Sequence, residues 1–373
     1  MSDQIQIIAE RVRLAVGNKR GLRIIGSGGK DFYGQSLDGE TLETCSHQGI
    51  PAYEPTELVI TARCGTPLAE IEKTLADSGQ ILPFEPPYFG GSAQTQPPYF
   101  GGNATFGGAI SAGLSGPRRA ANNGYYGAVR DYVLGCKIID GRGDVLSFGG
   151  QVMKNVAGYD VSRLMAGSMG TLGVILEVSL KVLPKPVASK TLQLGMRDAA
   201  DVIRKMNEWG GQPLPITATA YRDGDLTVRL EGAESAVGGA AKKLGGESVG
   251  DEEAGAFWRG LRDQTEPFFA GAEPLWRISI PSATAPLDLP GRQLIEWGGA
   301  LRWLKSDAPA QTIRTLARKV GGHATLFRAD EALKKSAGVF TPLDPVLAKI
   351  HKNLKQTFDP HSIFNRGRIY PDL

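Results

Sequence analysis

Cysteine is scarce in this chain, and the three present, Cys45, Cys64 and Cys136, form an odd count with no CxxC pair. That leaves no disulfide framework and no cysteine set for an iron–sulfur cluster or a structural zinc, and it points to a reduced, cytoplasmic setting. Histidine is sparse as well. His47, His323, His351 and His361 are scattered with no HxH or HxxH spacing, so no metal site is expected. Long apolar runs are missing, because charge or glycine interrupts each one, and no membrane-spanning helix is expected. The opening MSDQIQIIAERVRLAV is amphipathic and carries acids, unlike a secretory or transit leader. Charge of one sign is not in excess either: a net charge of +3, with no basic tract interleaved with aromatics, argues against a nucleic-acid partner.

Glycine is abundant, at 49 of 373 residues, and it concentrates in 17–34 and 89–173. The length, with 41% hydrophobic and 22% charged residues, suits two domains with real cores. Residues 151–182 organise the rest. Asp160 is placed to cap a short helix carrying Val161, Leu164 and Met165 on one face, which Gly167 ends. After the turn Gly170-Thr171-Leu172-Gly173, a period of two sets Val174, Leu176, Val178, Leu180 and Val182 on one side of a strand. Ile175, Glu177, Ser179 and Lys181 take the other side. Such a turn admits a flat or phosphorylated group close to the backbone, and it is equally the grammar of an ordinary tight turn.

In chain order, residues 3–17 read as a helix with Ile5, Ile8, Ala9, Val12 and Val16 on one face. Leu22–Ile25 is a strand that runs into Gly26-Ser27-Gly28-Gly29-Lys30-Asp31-Phe32-Tyr33-Gly34, a loop suited to cradling an anion on backbone N–H groups. Asp31 occupies the last glycine position of GxGxxG and the Ser/Thr position of a Walker loop, so neither fingerprint fits. Leu58–Ala62 is a strand, and Thr66-Pro67 opens a helix with Leu68, Ile71 and Leu75 inward. PPYFGG occurs twice, at 86–91 and 97–102, and reads as a tandem duplication of a surface loop. Residues 103–119 are rich in small residues and offer the hydroxyls of Thr105, Ser111 and Ser115. Pro184-Lys185-Pro186 marks a boundary. Beyond it strands are expected at 216–221, 226–230 and 275–280, with further strand within 291–304. Helices are expected near 197–208, 233–244 and 252–262 and again after Pro309. Trp209, Trp258, Trp276, Trp297 and Trp303 all fall in this half and read as core. Asp344-Pro345 starts a last helix with Leu347, Ile350 and Leu354 inward, followed by FDPHSIFNRGR at 358–368.

Several of these strings carry a resemblance. GYDVSRLMAGSMGTLGVI looks like the flavin-contacting turn of the PCMH-type FAD-binding fold shared by vanillyl-alcohol oxidase and the D-2-hydroxy-acid dehydrogenases. IIGSGGKDFYG resembles the first pyrophosphate loop of that fold, NATFGGAISAGLSGPRR its second flavin-binding stretch, and FDPHSIFNRGR its FDPxxIFNPGR ending. YEPTELVITARCGTPLAEIEKTLADSGQILPFEPP is similar, almost phrase by phrase, to the family of FAD-binding subunits of bacterial glycolate oxidases. The resemblance covers both ends and most of the middle, and is least specific over residues 187–329, apart from GGHATLFR at Gly321–Arg328.

The resemblance implies an α+β chain: a PCMH-type FAD-binding domain of two α/β subdomains over 1–186, a smaller α+β cap with an antiparallel sheet over 187–329, and a C-terminal segment, 330–373, returning to the first domain. It implies FAD contacts from Gly26, Ser27, Gly28, Gly29 and Lys30, from Thr105, Gly107, Gly108, Ser111 and Ser115, and from Gly170, Thr171, Gly173, Val174, Ile175 and Asn365. Lys30 stands where covalently flavinylated members carry histidine, which implies non-covalent FAD. Arg366 replaces the family's proline, which implies a less rigid loop around Asn365.

The function implied is that of an FAD-bearing subunit of a glycolate oxidase (glycolate dehydrogenase) complex, taking part in oxidation of glycolate to glyoxylate. Its partners would be a larger FAD-binding catalytic subunit and an iron–sulfur subunit, with the complex peripheral on the cytoplasmic face of the inner membrane. His323, the one histidine in the cap portion, is the candidate base; no other catalytic residue stands out. Two other readings stay open: a self-sufficient FAD-dependent D-2-hydroxy-acid dehydrogenase, and a non-catalytic flavin-binding assembly subunit.

Overall fold

Apolar spacing in the first fifteen described residues builds the edge of the core. A computed structural model describes residues 3–89, 104–119, 126–150 and 160–373. In it α1 (Asp3–Gly17) buries Ile5, Ile8, Ala9, Val12 and Ala15. Ala15 takes the inward place that the sequence pattern assigned to Val16, which is only half-buried. This stripe packs on β1 (Leu22–Ile25) and β2 (Glu40–Glu43), a parallel pair, through Leu22, Leu42 and Phe364.

A five-stranded antiparallel sheet follows, with β3 (Ala52–Glu54) and β4 (Val59–Arg63) on one side. Helix α2 (Leu68–Asp77) buries Leu68, Ile71 and Leu75 beside this sheet, and β5 (Gln80–Ile81) pairs separately with β9 (Leu183–Pro184). Helices α3 (Phe106–Ala112) and α4 (Val129–Tyr132) precede β6 (Val133–Ile139) and β7 (Val145–Gly149). Helix α5 (Val161–Met165) then leads to β8 (Val174–Lys181), and the sheet order is β3-β4-β8-β6-β7. Asp160 does cap α5, accepting the Arg163 N–H at 3.1 Å.

Strand β8 departs from the strict alternation of its sequence. Its register against β6 slips between Lys137↔Glu177 and Ile138↔Ile175, so Leu176 is an extra residue, a β-bulge. Upstream of the bulge the faces exchange. Val174 and Leu176 pack under α1, whereas Ile175 joins Val178, Leu180 and Val182 in the other core. The expectation that Val174 through Val182 share one face is corrected by that single inserted residue.

The second half forms one eight-stranded antiparallel sheet. Its strands are β10 (Ala188–Gly195), β11 (Ile216–Arg222), β12 (Asp225–Gly232), β13 (Glu247–Val249), β14 (Leu275–Ser279), β15 (Arg292–Glu296), β16 (Leu301–Lys305) and β17 (His323–Arg328). They are ordered β13-β10-β12-β11-β15-β16-β14-β17. Helices α6 (Ala199–Gly210), α7 (Glu234–Leu244), α8 (Asp251–Asp263) and α9 (Ala310–Lys319) accompany them. All five tryptophans are buried. The two halves share a core in which Tyr33, Phe89 and Met169 of the first meet Trp258, Trp297, Trp303 and Phe327 of the second.

The chain then returns through α10 (Glu331–Ala337) and α11 (Pro345–Phe358). The expected inward face of α11 is wrong at Leu347 and Ile350, which are 45% and 47% exposed; the helix instead buries Lys355 and Phe358. A buried lysine outranks two aliphatic residues because its ammonium is fully engaged, donating to the carbonyls of Thr171 (2.8 Å) and Phe364 (2.7 Å) and pairing with Asp359 (2.8 Å). The second PPYFGG copy, the end of the first, Asn103 and residues 151–159 lie outside the described residues.

Candidate functional site: a glycine-walled cleft

Three loops that are far apart in sequence converge on one cleft of about 830 Å³. Its walls are the Gly26–Asp31 loop after β1, the N-terminal part of α3 with the preceding Thr105, and the Met169–Gly173 turn with Ile175, closed at one end by Asn365 and Arg368. Of the residues named from sequence, Gly26, Ser27, Gly28, Gly29, Lys30, Thr105, Gly107, Gly108, Ser111, Gly170, Gly173, Ile175 and Asn365 line it.

The remaining three do not. The Thr171 hydroxyl donates to the Ser168 carbonyl at 2.7 Å, and the Thr171 carbonyl is taken by Lys355. Val174 is turned into the core under α1 by the bulge. Ser115 lies beyond the end of α3, its hydroxyl buried with no hydrogen-bond partner among the described residues.

The first loop has the chemistry of an anion cradle. Gly28 has φ +77°, and the loop closes on itself when the Asp31 and Tyr33 N–H groups donate to the Gly28 and Lys30 carbonyls. The N–H groups of Ser27, Gly28, Gly29 and Lys30 make no hydrogen bond among the described residues, which leaves a run of free donors on the cleft wall. The loop is held from behind. A Cβ on Gly26 would stand 2.4 Å from the Thr105 hydroxyl, so these two walls touch. Arg368 donates to the carbonyls of Gln35, Lys30 and Asp31 at 2.8, 3.0 and 3.1 Å.

Asn365, at φ +39°, stitches the other walls together. Its Oδ1 accepts the Ile24 N–H at 2.8 Å and its Nδ2 donates to the Met169 carbonyl at 2.7 Å. Asp359 anchors the same loop by accepting the N–H groups of Ile363 (3.0 Å) and Phe364 (2.8 Å). The loop is therefore pinned without a proline before Gly367, and the loss of rigidity expected from Arg366 is offset by these bonds.

Burial sets the protonation of the side chains facing the cleft. Lys30 is lowered to about 8 by desolvation, with Asp263 opposing, and its ammonium makes no hydrogen bond among the described residues. Cys64 lines the cleft with its thiol pushed up to about 12 by burial, so no thiolate is available there at neutral pH. Tyr33, Cys64, Met169 and Arg368 are lining residues that the sequence reading passed over. Arg368 stood inside the NRGR string quoted for Asn365 and carried the only local signal.

The histidines are dispersed. His47 is buried, His351 stacks edge-on against Tyr370 at 5.9 Å, and His361 is exposed. His323 opens β17 on a different cavity from the cleft. Among the described residues no group of histidine, cysteine and acidic side chains could hold a metal, and no helix is long and apolar enough to cross a membrane.

Residues 3–149 match a family model described as an FAD binding domain, which places the chain among FAD-dependent oxidoreductases. The fold is similar to that of p-cresol methylhydroxylase with bound substrate, with a TM-score of 0.67 over 99% of this chain and 87% of that one at 15% identity. The full chain is 49% identical over 373 residues to glycolate oxidase subunit GlcE of Escherichia coli (strain K12), covering 100% of this chain and 99% of that protein. It is also 44% identical over 89 residues to glycolate oxidase subunit GlcD of Bacillus subtilis (strain 168), covering 24% of this chain and 18% of that protein. The chain belongs to the GlcE family of glycolate oxidase subunits.

Proposed function

We propose that this chain is the FAD-bearing subunit of a glycolate oxidase complex that oxidises glycolate to glyoxylate and passes electrons to an iron–sulfur partner. The observation that carries the reading is the cleft itself, where a glycine loop with free N–H donors faces small-residue walls from two other loops. A diphosphate fits the chemistry of that loop, and the absence of side chains at Gly107, Gly108, Gly170 and Gly173 suits the approach of a ring system. When bound, FAD would supply the electron chemistry, and the protein's part is to hold, orient and tune it. Gly26, Ser27, Gly28, Gly29 and Lys30 would bind the pyrophosphate, with Thr105, Gly107, Gly108, Ser111, Gly170, Gly173, Ile175 and Asn365 forming the rest of the bed.

FAD is held without a covalent link in this reading. No histidine lines the cleft among the described residues, and the thiol there, Cys64, stays protonated. The partners are a larger FAD-binding subunit of GlcD type and an iron–sulfur subunit, working on the cytoplasmic face of the inner membrane. Three free cysteines, two of them buried, support placing the cluster in a partner. The test is reconstitution of the complex with this chain's flavin removed. Loss of glycolate-dependent electron transfer supports the reading, and full activity without this flavin contradicts it.

A further inference from the structure

A surface helix ordinarily turns its apolar stripe to the core, and α11 does so only at its far end. Lys355 and Phe358 are buried there, whereas Val346, Leu347 and Ile350 are exposed, Val346 to 70%. At about 100° per residue these three share one face of the helix. Six large apolar side chains are exposed among the described residues, and half of them stand within these five positions. Singly scattered apolar residues are ordinary, but a cluster on one helix face marks a contact surface.

Charge gathers beside it. Residues 331–373 hold seven Lys and Arg against four Asp and Glu, an excess of three that equals the net charge of the whole chain. The four acids are engaged within the segment. Glu331 pairs with Lys334 at 2.9 Å, Asp359 with Lys355 at 2.8 Å and Asp372 with Lys352 at 2.9 Å. Asp344 accepts the N–H groups of Val346 (2.9 Å) and Leu347 (3.0 Å). Lys335 and Lys349 are exposed and make no hydrogen bond or ion pair among the described residues. Lys335 and Lys352 also line a hollow of about 980 Å³ along the flank of α11, with Phe340, Leu343 and Ile369 among its walls.

We propose that this ridge and hollow form the docking surface for a partner protein, which covers Val346, Leu347 and Ile350 with apolar side chains and meets Lys335 and Lys349 with carboxylates. The covered apolar residues carry the affinity, and the complementary charge fixes register and speeds encounter. A flat lipid surface would cover the ridge and leave the hollow beside it unfilled, whereas protein side chains can enter it. Lys355 of the same helix donates to the Thr171 carbonyl, in the turn that walls the cleft, so the partner is seated on the element that braces the cleft. The choice of a GlcD-type subunit as probe rests on the reading under Proposed function; the surface itself does not.

The test is calorimetric titration of the purified full chain, with FAD supplied, against the purified GlcD-type subunit at low and high salt. Val346→Glu and Ile350→Glu are each expected to weaken binding roughly 30-fold. Lys335→Glu combined with Lys349→Glu should weaken it roughly 10-fold at low salt and less at high salt. Val187→Glu, at an 82% exposed apolar site outside this face, should leave it unchanged. Should Ile350→Glu fail to fold, Val346→Glu still decides, because a carboxylate is favourable in the first turn of a helix. Subunit binding unchanged in the folded Val346→Glu variant overturns the surface and leaves the reading of the complex standing. No binding by a wild-type chain that has taken up FAD overturns this docking and the complex reading together, without touching the cleft. Variants that keep the subunit but lose binding to phosphatidylglycerol vesicles, or lose self-association in sedimentation, give the face to lipid or to a second copy and overturn the proposal.

Discussion

Glu85 accepts both ends of the Arg229 guanidinium, Nη1 at 3.0 Å and Nη2 at 2.9 Å, and this pair joins the loop after β5 to β12 of the eight-stranded sheet. Arg118 adds a third side chain, with its backbone N–H to Glu85 at 2.7 Å and its guanidinium to Glu231 at 2.9 Å. Burial alone would raise Glu85, but Arg118 and Arg229 outweigh it and hold the carboxyl at about 2. A folded pKa below the ordinary 4.5 means stability that is present above about pH 4.5 and lost as pH falls towards 2, about 3 kcal/mol for this shift. Glu85→Gln should therefore destabilise the protein at pH 7 and lose less on acidification than the wild type. Urea midpoints at pH 7, 4 and 3 measure both.

Glu296 behaves in the opposite sense. Burial raises it to about 7, against a hydrogen bond from Trp303 Nε1 at 2.6 Å and the nearby charge of Arg277. Its contribution is complete below about pH 4.5 and is lost as pH rises through 7, up to about 3 kcal/mol. Glu296→Gln keeps the acceptor for Trp303, so the variant should be the more stable protein at pH 8 and flatter between pH 5 and 8. Thermal melts across that range decide it.

The loop glycines separate binding from folding. A Cβ on Gly28 meets only the Asp31 carboxylate, at 3.6 Å, so Gly28→Val should fold with a local backbone cost of about 1–2 kcal/mol and fail to retain FAD. At Gly170 the added atom would come within 2.6 Å of Asn365 Nδ2, so Gly170→Val should lose both FAD and stability. Flavin content per folded chain, together with melting temperature, distinguishes the two. Full flavin occupancy in both variants would remove these loops from the site.

Lys355 ties α11 to the turn beside the cleft. Lys355→Met leaves Asp359 buried without its partner and should cost about 3–5 kcal/mol, read as a fall in the urea midpoint. A change below 1 kcal/mol would mean the ammonium is not holding the C-terminal loop.

How much of this was legible in the sequence differs by scale. Elements whose pattern is local were readable: α1, the strand at Leu22–Ile25, the Asp160 cap, and those cap strands and helices that were expected, to within a few residues, whereas β10, β13, β17 and α10 were not expected. The glycine loops were readable as loops, and their convergence followed from the family resemblance rather than from spacing. What escaped was tertiary. A one-residue bulge at Leu176 reverses a perfect alternation because ladder register, not side-chain period, decides the face. Leu347 and Ile350 face out because Lys355 and Phe358 hold the helix by its other side. Arg368 gave no motif, since it acts through carbonyls more than 300 positions away in the chain.

The most direct measurement of the central claim is a visible absorption spectrum of the purified full chain, before and after acid precipitation, with FAD supplied. The account predicts a flavin spectrum at about one FAD per chain, released entirely into the acid supernatant because no covalent link holds it. A chain that remains colourless after FAD is supplied would contradict the assignment of the cleft, and flavin that stays with the precipitate would contradict the non-covalent reading.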